Sequence, residues 1–139
     1  MNCAVLDNTV TLVPVNHDNL TIYLTIGIKS YRENYLHLWE NEDPTPYISN
    51  GFTSEVVERE LQDPNALNFL VNLGDETVGV LKLLKDRGID EILDTEALKA
   101  EKIYLLKEHS CNHHKIDMFL LHFDLNETKL YFFYLAMAL

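Results

Sequence analysis

Side chains able to do chemistry crowd one short stretch: His109, Cys111, His113 and His114 fall within six positions, flanked by Lys107 and Lys115. Imidazole and thiolate are zinc ligands, and a Cys beside a His can also serve nucleophilic catalysis. The spacing argues against the metal, and the sequence shows no fold pattern that would support a Cys-His nucleophile. Neighbours this close cannot all face one ion, and no second ligand pair stands at a standard distance even with His122 counted. No metal is expected, and these residues read as ordinary loop positions. Charge is the second feature. Between Glu40 and Asp63 there are seven acidic residues and one basic residue, Arg59. Such a segment is ordinarily a solvated face, and it also attracts cations.

The whole chain sharpens that reading. Its 139 residues carry a formal charge of -11, which excludes a binder of phosphate backbones, because that affinity is built from Lys and Arg. Hydrophobic residues make up 47% and charged residues 24%, the balance of a single globular domain spanning 1–139. No run reaches the roughly 18 apolar residues of a membrane span. The start, MNCAVLDNTV, lacks a basic and then apolar leader, so a cytoplasmic location is expected. Cys3 and Cys111 are then two reduced thiols.

Periodicity predicts the elements that must position these groups. Thr9 to Val15 alternates as a strand. Asp18 reads as an N-cap, followed by apolar residues at helical spacing to about Trp39, as one long helix or two abutting ones. Asn41 to Pro46 reads as a break. A second helix runs from Thr53 or Ser54 to about Gln62. Leu67–Leu73 and Thr77–Leu84 read as strands joined by a tight turn at Gly74-Asp75-Glu76. Asp90–Lys99 is expected as a connecting helix or helical turn, Glu101–Lys107 as a buried strand, His114–Asp124 as helical and Leu130–Leu139 as a last strand. This order predicts one mixed α/β sheet with helices packed on it.

The order and several local stretches resemble the GNAT acyl-CoA N-acyltransferases. Ile28 to Trp39 is similar to a first-helix segment of one bacterial branch, and Tyr47-Ile48, Phe52 to Glu55 and Glu60-Leu61 continue the pattern. Val78-Gly79-Val80-Leu81-Lys82-Leu83 resembles the family's third strand, and Ile103 to Glu108 its fourth. The likeness covers about residues 9 to 110. It implies an enzyme with acetyl-CoA as co-substrate, lying along the main chain of Tyr104, Leu105 and Leu106 like an added strand. Ser110, Cys111, Asn112, His113 and Lys115 then hold the pyrophosphate. Glu101 is the position matching the family's proton-accepting carboxylate. Trp39, beside the acidic segment, is the candidate to line the acceptor groove, while Tyr31 and Tyr35 read as core. The implied acceptor is a small amine, cationic if the acidic segment borders its groove, with neither nucleic acid nor membrane as partner.

Two departures stand against this pattern. The family's loop reads Q/R-x-x-G-x-G/A, whereas this chain has Ser110 at the first position and His113 and Lys115 at the glycines. Side chains there crowd an anion, which predicts weakened CoA binding. Lys107, Lys115 and protonated histidines still offer charge. The chain also ends at about the family's fifth strand, so the fold is expected to be C-terminally truncated. Loss of match inside one motif is the pattern that a shifted reading frame after Ser110 produces. The uncharged run Leu130 to Leu135, left uncovered, predicts a homodimer through the C-terminal strand; a relic without cofactor, or a self-associating module, is the alternative function.

Overall fold

The computed structural model describes residues 9–85, 97–112, 124–125 and 128–131. The elements in chain order are β1 (Val10–Pro14), α1 (Leu20–Tyr35), α2 (Thr45–Gly51), α3 (Ser54–Leu61), β2 (Ala66–Leu73), β3 (Glu76–Lys85), β4 (Ala97–Leu105), β5 (Asp124–Leu125) and β6 (Thr128–Tyr131). The strands form one sheet in the order β1-β2-β3-β4-β6-β5. Its pairs are antiparallel except β4 with β6, which are parallel.

The sheet buries apolar side chains on both faces. Val71, Leu73, Val78, Leu81, Leu83, Ile103 and Leu105 cluster on one. Leu70, Val80 and Tyr104 face the other, where they meet Leu20, Tyr23 and Tyr31 of α1, Val57 of α3, and Phe52. The β2 and β3 runs are therefore apolar on both sides rather than strictly alternating. Gly79, the glycine of the third-strand motif, sits opposite Leu105, where a Cβ would lie 2.3 Å from the Tyr104 carbonyl oxygen. Only glycine lets β3 and β4 approach this closely.

Most expected elements are present, with five corrections. Asp18 is not the cap of α1. Asn19 holds the cap position without a side-chain bond into the helix, its side chain being spent in the preceding turn: Asn16 Oδ1 accepts the Asp18 and Asn19 amides at 2.8 and 3.1 Å, and Asn19 Oδ1 accepts Asn16 N–H at 2.8 Å. The expected break at Asn41–Pro46 is half a helix start. A turn with left-handed Asn41 and Glu42 ends the first segment, and Pro46 then opens α2, because proline is tolerated in a first helical turn. Ala97–Lys99, expected at the end of a helix, belongs to β4, held between β3 and β6. That strand ends at Leu105, so Lys107 lies in the following 3-10 turn, and Asp124 is a strand residue rather than helical. The rest of the expected 114–123 helix and 132–139, the greater part of the expected C-terminal strand and its dimer contact, lie outside the described residues.

Candidate functional site

Two features of β4 can do chemistry: its backbone edge and the side chains it sends toward the helices. The edge follows from the ladder. Leu106 N–H donates to Val78 C=O at 2.8 Å, and the register runs Leu105 to Gly79, Tyr104 to Val80 and Ile103 to Leu81. Antiparallel pairs alternate between bonded and non-bonded. Tyr104 and Leu106 therefore spend their main-chain groups on β3, while Ile103 and Leu105 turn theirs to the opposite edge. The Leu105 carbonyl accepts Asn34 Nδ2 at 2.9 Å, which fixes that orientation from α1. On this edge β6 pairs with Ala97–Lys99, and among the described residues no strand accompanies Glu101 to Leu105.

On the helix side, a polar chain crosses the buried layer. Tyr23 O–H donates to Asn68 Oδ1 at 2.9 Å, and Asn68 Nδ2 donates to Glu60 Oε2 at 3.2 Å. Glu60 Oε1 accepts Lys82 Nζ at 2.7 Å, and Lys82 also reaches Glu101 Oε1 at 3.0 Å. Each link comes from a different element, so the chain ties α1, β2, α3, β3 and β4 together. Burial draws Lys82 down, but its two carboxylate hydrogen bonds outweigh that and hold it above the ordinary lysine range.

Lys102 stands directly opposite Lys82 across the sheet. Like charges in that position repel, and Lys82 has taken both carboxylates. Lys102 Nζ instead donates to the Gly51 carbonyl at 3.2 Å and lies 4.5 Å from the Phe52 ring centre. Among the described residues it has no carboxylate ion pair. Burial, with the charge of Lys82, lowers its pKa against the pull of Glu60 and Glu101. A Cβ on Gly51 would stand 2.9 Å from this amine, so the glycine makes its seat. Tyr47, Asn50, Glu60, Lys82, Glu101 and Lys102, together with Gly51, line a cavity of about 220 Å³ here.

An aromatic cluster adjoins the cavity through Tyr47, which lines it. The Tyr47 and Tyr31 rings stack at 4.3 Å, and the Tyr47 and Tyr104 hydroxyls meet at 2.6 Å. Burial pushes Tyr104 up to about 12, although its bond with Tyr47 pulls the other way. Tyr47 is raised further, by burial and by Tyr104. Both phenols stay neutral at ordinary pH and hold each other by a hydrogen bond rather than acting as acids.

The sequence-derived residues divide as follows. Glu101 lines the cavity, and its carboxylate reaches Lys82 through Oε1. Trp39 does not line it; its indole N–H donates to Tyr31 O–H at 2.7 Å, and its ring lies 6.3 Å from that of Tyr47. Leu105 faces the open edge, and Tyr104 and Leu106 face β3. Ser110, Cys111 and Asn112 end a 3-10 turn over Lys107–Asn112, and the first amide of that turn, Lys107 N–H, donates to Glu33 Oε1 at 3.2 Å. His113 and Lys115 lie outside the described residues, as do His114 and His122. His109 meets Glu76 at 3.2 Å, and with Glu108 these offer ligand atoms within 4.8 Å of one another at an exposed position. Lys102 and Lys82 escaped the sequence reading. An apolar strand pattern signals burial, but nothing in it says which buried lysine keeps a carboxylate.

No family model matches the sequence. Solved structures do match the fold. A PaiA N-acetyltransferase from Thermoplasma acidophilum, in complex with coenzyme A, superposes with TM-score 0.60 at 16% identity, over 81% of this chain and 67% of that one. An acetyltransferase from Thermus thermophilus gives 0.53 at 19% identity, over 91% and 77%. An aminoglycoside acetyltransferase from an uncultured soil metagenomic sample gives 0.53 at 11% identity, over 90% and 79%. The chain is thus similar in fold to acetyltransferases while spanning about two thirds to four fifths of their length.

Proposed function

With the GNAT acetyltransferase fold as premise, we propose that this chain transfers an acyl group, acetyl in the first instance, from acetyl-CoA to a small cationic amine. The observation that carries the reading is the outward-turned main chain of Ile103 and Leu105 on the strand that also lines the charged cavity. An extended amide-bearing arm adds to such an edge as a strand would. One of the similar folds was solved with coenzyme A, and another is named an aminoglycoside acetyltransferase.

The chain's own groups then have separate tasks. Glu60 and Glu101 draw a cationic amine to the cavity, and Lys82 keeps the two carboxylates in place. Glu101 takes the amine's proton, because it reaches Lys82 through one oxygen only. The freed lone pair attacks the thioester carbonyl, an outward N–H of β4 holds the tetrahedral oxyanion, and the C–S bond breaks as the nitrogen's surplus proton passes to the departing thiolate or to water. The Glu33 carboxylate on Lys107 N–H competes with a pyrophosphate for the start of the turn. The donor is therefore held chiefly by the strand edge, and its affinity is modest.

Calorimetric titration with acetyl-CoA, followed by thiol release with spermidine and lysine amides, tests this. Saturable heat and amine-dependent thiol release support it. Silence of the calorimeter at millimolar acetyl-CoA contradicts it.

A further inference from the structure

We propose that Lys102 is itself an acyl acceptor: its buried side-chain amine, seated on Gly51 and facing the cavity, takes an acyl group from a small thioester. The inference deepens the proposed function, and rests on it for the natural donor.

Four observations converge. First, Lys102 is 6% exposed, yet its amine lines a cavity of about 220 Å³, room enough for an acetyl group. Second, the charges are shared unequally. Lys82 holds Glu60 at 2.7 Å and Glu101 at 3.0 Å, and Lys102 across the strand holds neither. Third, the contacts Lys102 does have are a carbonyl at 3.2 Å and an aromatic face, which orient an amine without demanding a full positive charge. Fourth, the groups around it are Tyr47 of α2, Glu60 of α3, Lys82 of β3, and Glu101 and Tyr104 of its own strand. Burial and Lys82 dominate, and they favour the neutral, nucleophilic form. By contrast, Lys29 of α1 and Lys107 of the turn are exposed.

The step balances. The neutral Nζ attacks the thioester carbonyl carbon, an N–C bond forms and the C–S bond breaks. The thiolate departs, and the surplus proton of the nitrogen passes to it or to water. The product amide keeps one N–H for the Gly51 carbonyl and places its methyl group in the cavity. Acylated Lys102 then occupies space that a substrate amine needs, so the modification is expected to restrain turnover.

The test uses the intact chain and S-acetyl-N-acetylcysteamine, a thioester with no nucleotide. Site-resolved mass spectrometry follows acetylation of every lysine between pH 7 and 10. Lys102 is expected to react faster than Lys29 and Lys107 at pH 8, because burial and the charge of Lys82 favour its neutral form. Its rate is expected to level off below the ordinary lysine value of about 10.4. In Lys82→Met, Glu60 and Glu101 are released to pair with Lys102, and the advantage is expected to vanish. A Lys102 rate at or below those of the exposed lysines overturns the proposal. Because the probe needs no CoA site, that result is separate from failure of the donor reading, which the acetyl-CoA calorimetry reports.

Discussion

Replacing Glu60 by alanine cuts the polar chain at its centre, and the structure sets the size of the effect. Asn68 is 5% exposed, and its Nδ2 loses the Glu60 acceptor at 3.2 Å. Lys82, 7% exposed, loses its shorter carboxylate and keeps only Glu101, whose side chain is 32% exposed. An orphaned buried donor costs about 1–3 kcal/mol, and a lost charge-assisted bond about as much. Water entering from the cavity returns part of this, leaving about 3 kcal/mol. For a chain of 139 residues, with about 2.1 cal/mol/K of unfolding entropy per residue, that lowers the midpoint by about 10 °C. Thermal unfolding followed by circular dichroism at pH 7 measures it. Glu60→Gln, which keeps an acceptor, is expected to lose about half as much. The sign with pH is also fixed. Lys82 is raised in the folded state, so its contribution is present below the unfolded lysine value of about 10.4 and is lost as pH rises through the folded value. The gap between the parent chain and Glu60→Ala therefore narrows only in strong alkali. A midpoint shift under about 2 °C would refute the view that this chain of polar groups is a buried structural tie.

The remaining predictions concern β4 and its neighbours. Gly79→Ala places a Cβ against the Tyr104 carbonyl; it is expected to cost more than about 2 kcal/mol in urea unfolding, and a neutral result contradicts the close strand approach. Lys102 has a lowered folded pKa, so the native state binds fewer protons than the unfolded one above that value, and stability rises with pH up to about 10.4. Lys102→Met is expected to remove that rise, which denaturant midpoints from pH 7 to 10 reveal. Glu101→Gln is expected to lower amine-dependent thiol release about a hundredfold, with acetyl-CoA affinity unchanged; equal turnover removes Glu101 from the proton path.

Much of this architecture was legible in residue order because local rules agree with the fold. The β2 and β3 runs are apolar and bounded by Gly74-Asp75, so the hairpin follows from turn chemistry, while the register shift between Val71 and Asn72 does not. The Thr53 side chain accepts Val56 N–H, as the helix start at Thr53 or Ser54 implies. Misreadings fall where two rules compete. Asp18 has the right chemistry for a cap, but Asn16 and Asn19 bond each other's amides first. Pro46 punctuates as readily as it opens a helix, and only packing decides which. Ala97-Leu98-Lys99 is rich in helix formers, yet two neighbouring strands supply its hydrogen bonds. In the site, Glu101 was singled out by the family resemblance as a strand-start carboxylate; the structure places it within β4, bonded to Lys82. The unequal charge shares of Lys82 and Lys102 were not legible, since they depend on which carboxylate from α3 reaches across the sheet.

Backbone amide shifts during titration with acetyl-CoA test the central claim most directly. The Ile103 and Leu105 amides are predicted to move together and saturate, while Tyr104 and Leu106, bonded to β3, change little. Saturating acetyl-CoA that leaves Ile103 and Leu105 unmoved would contradict a donor lying along this edge.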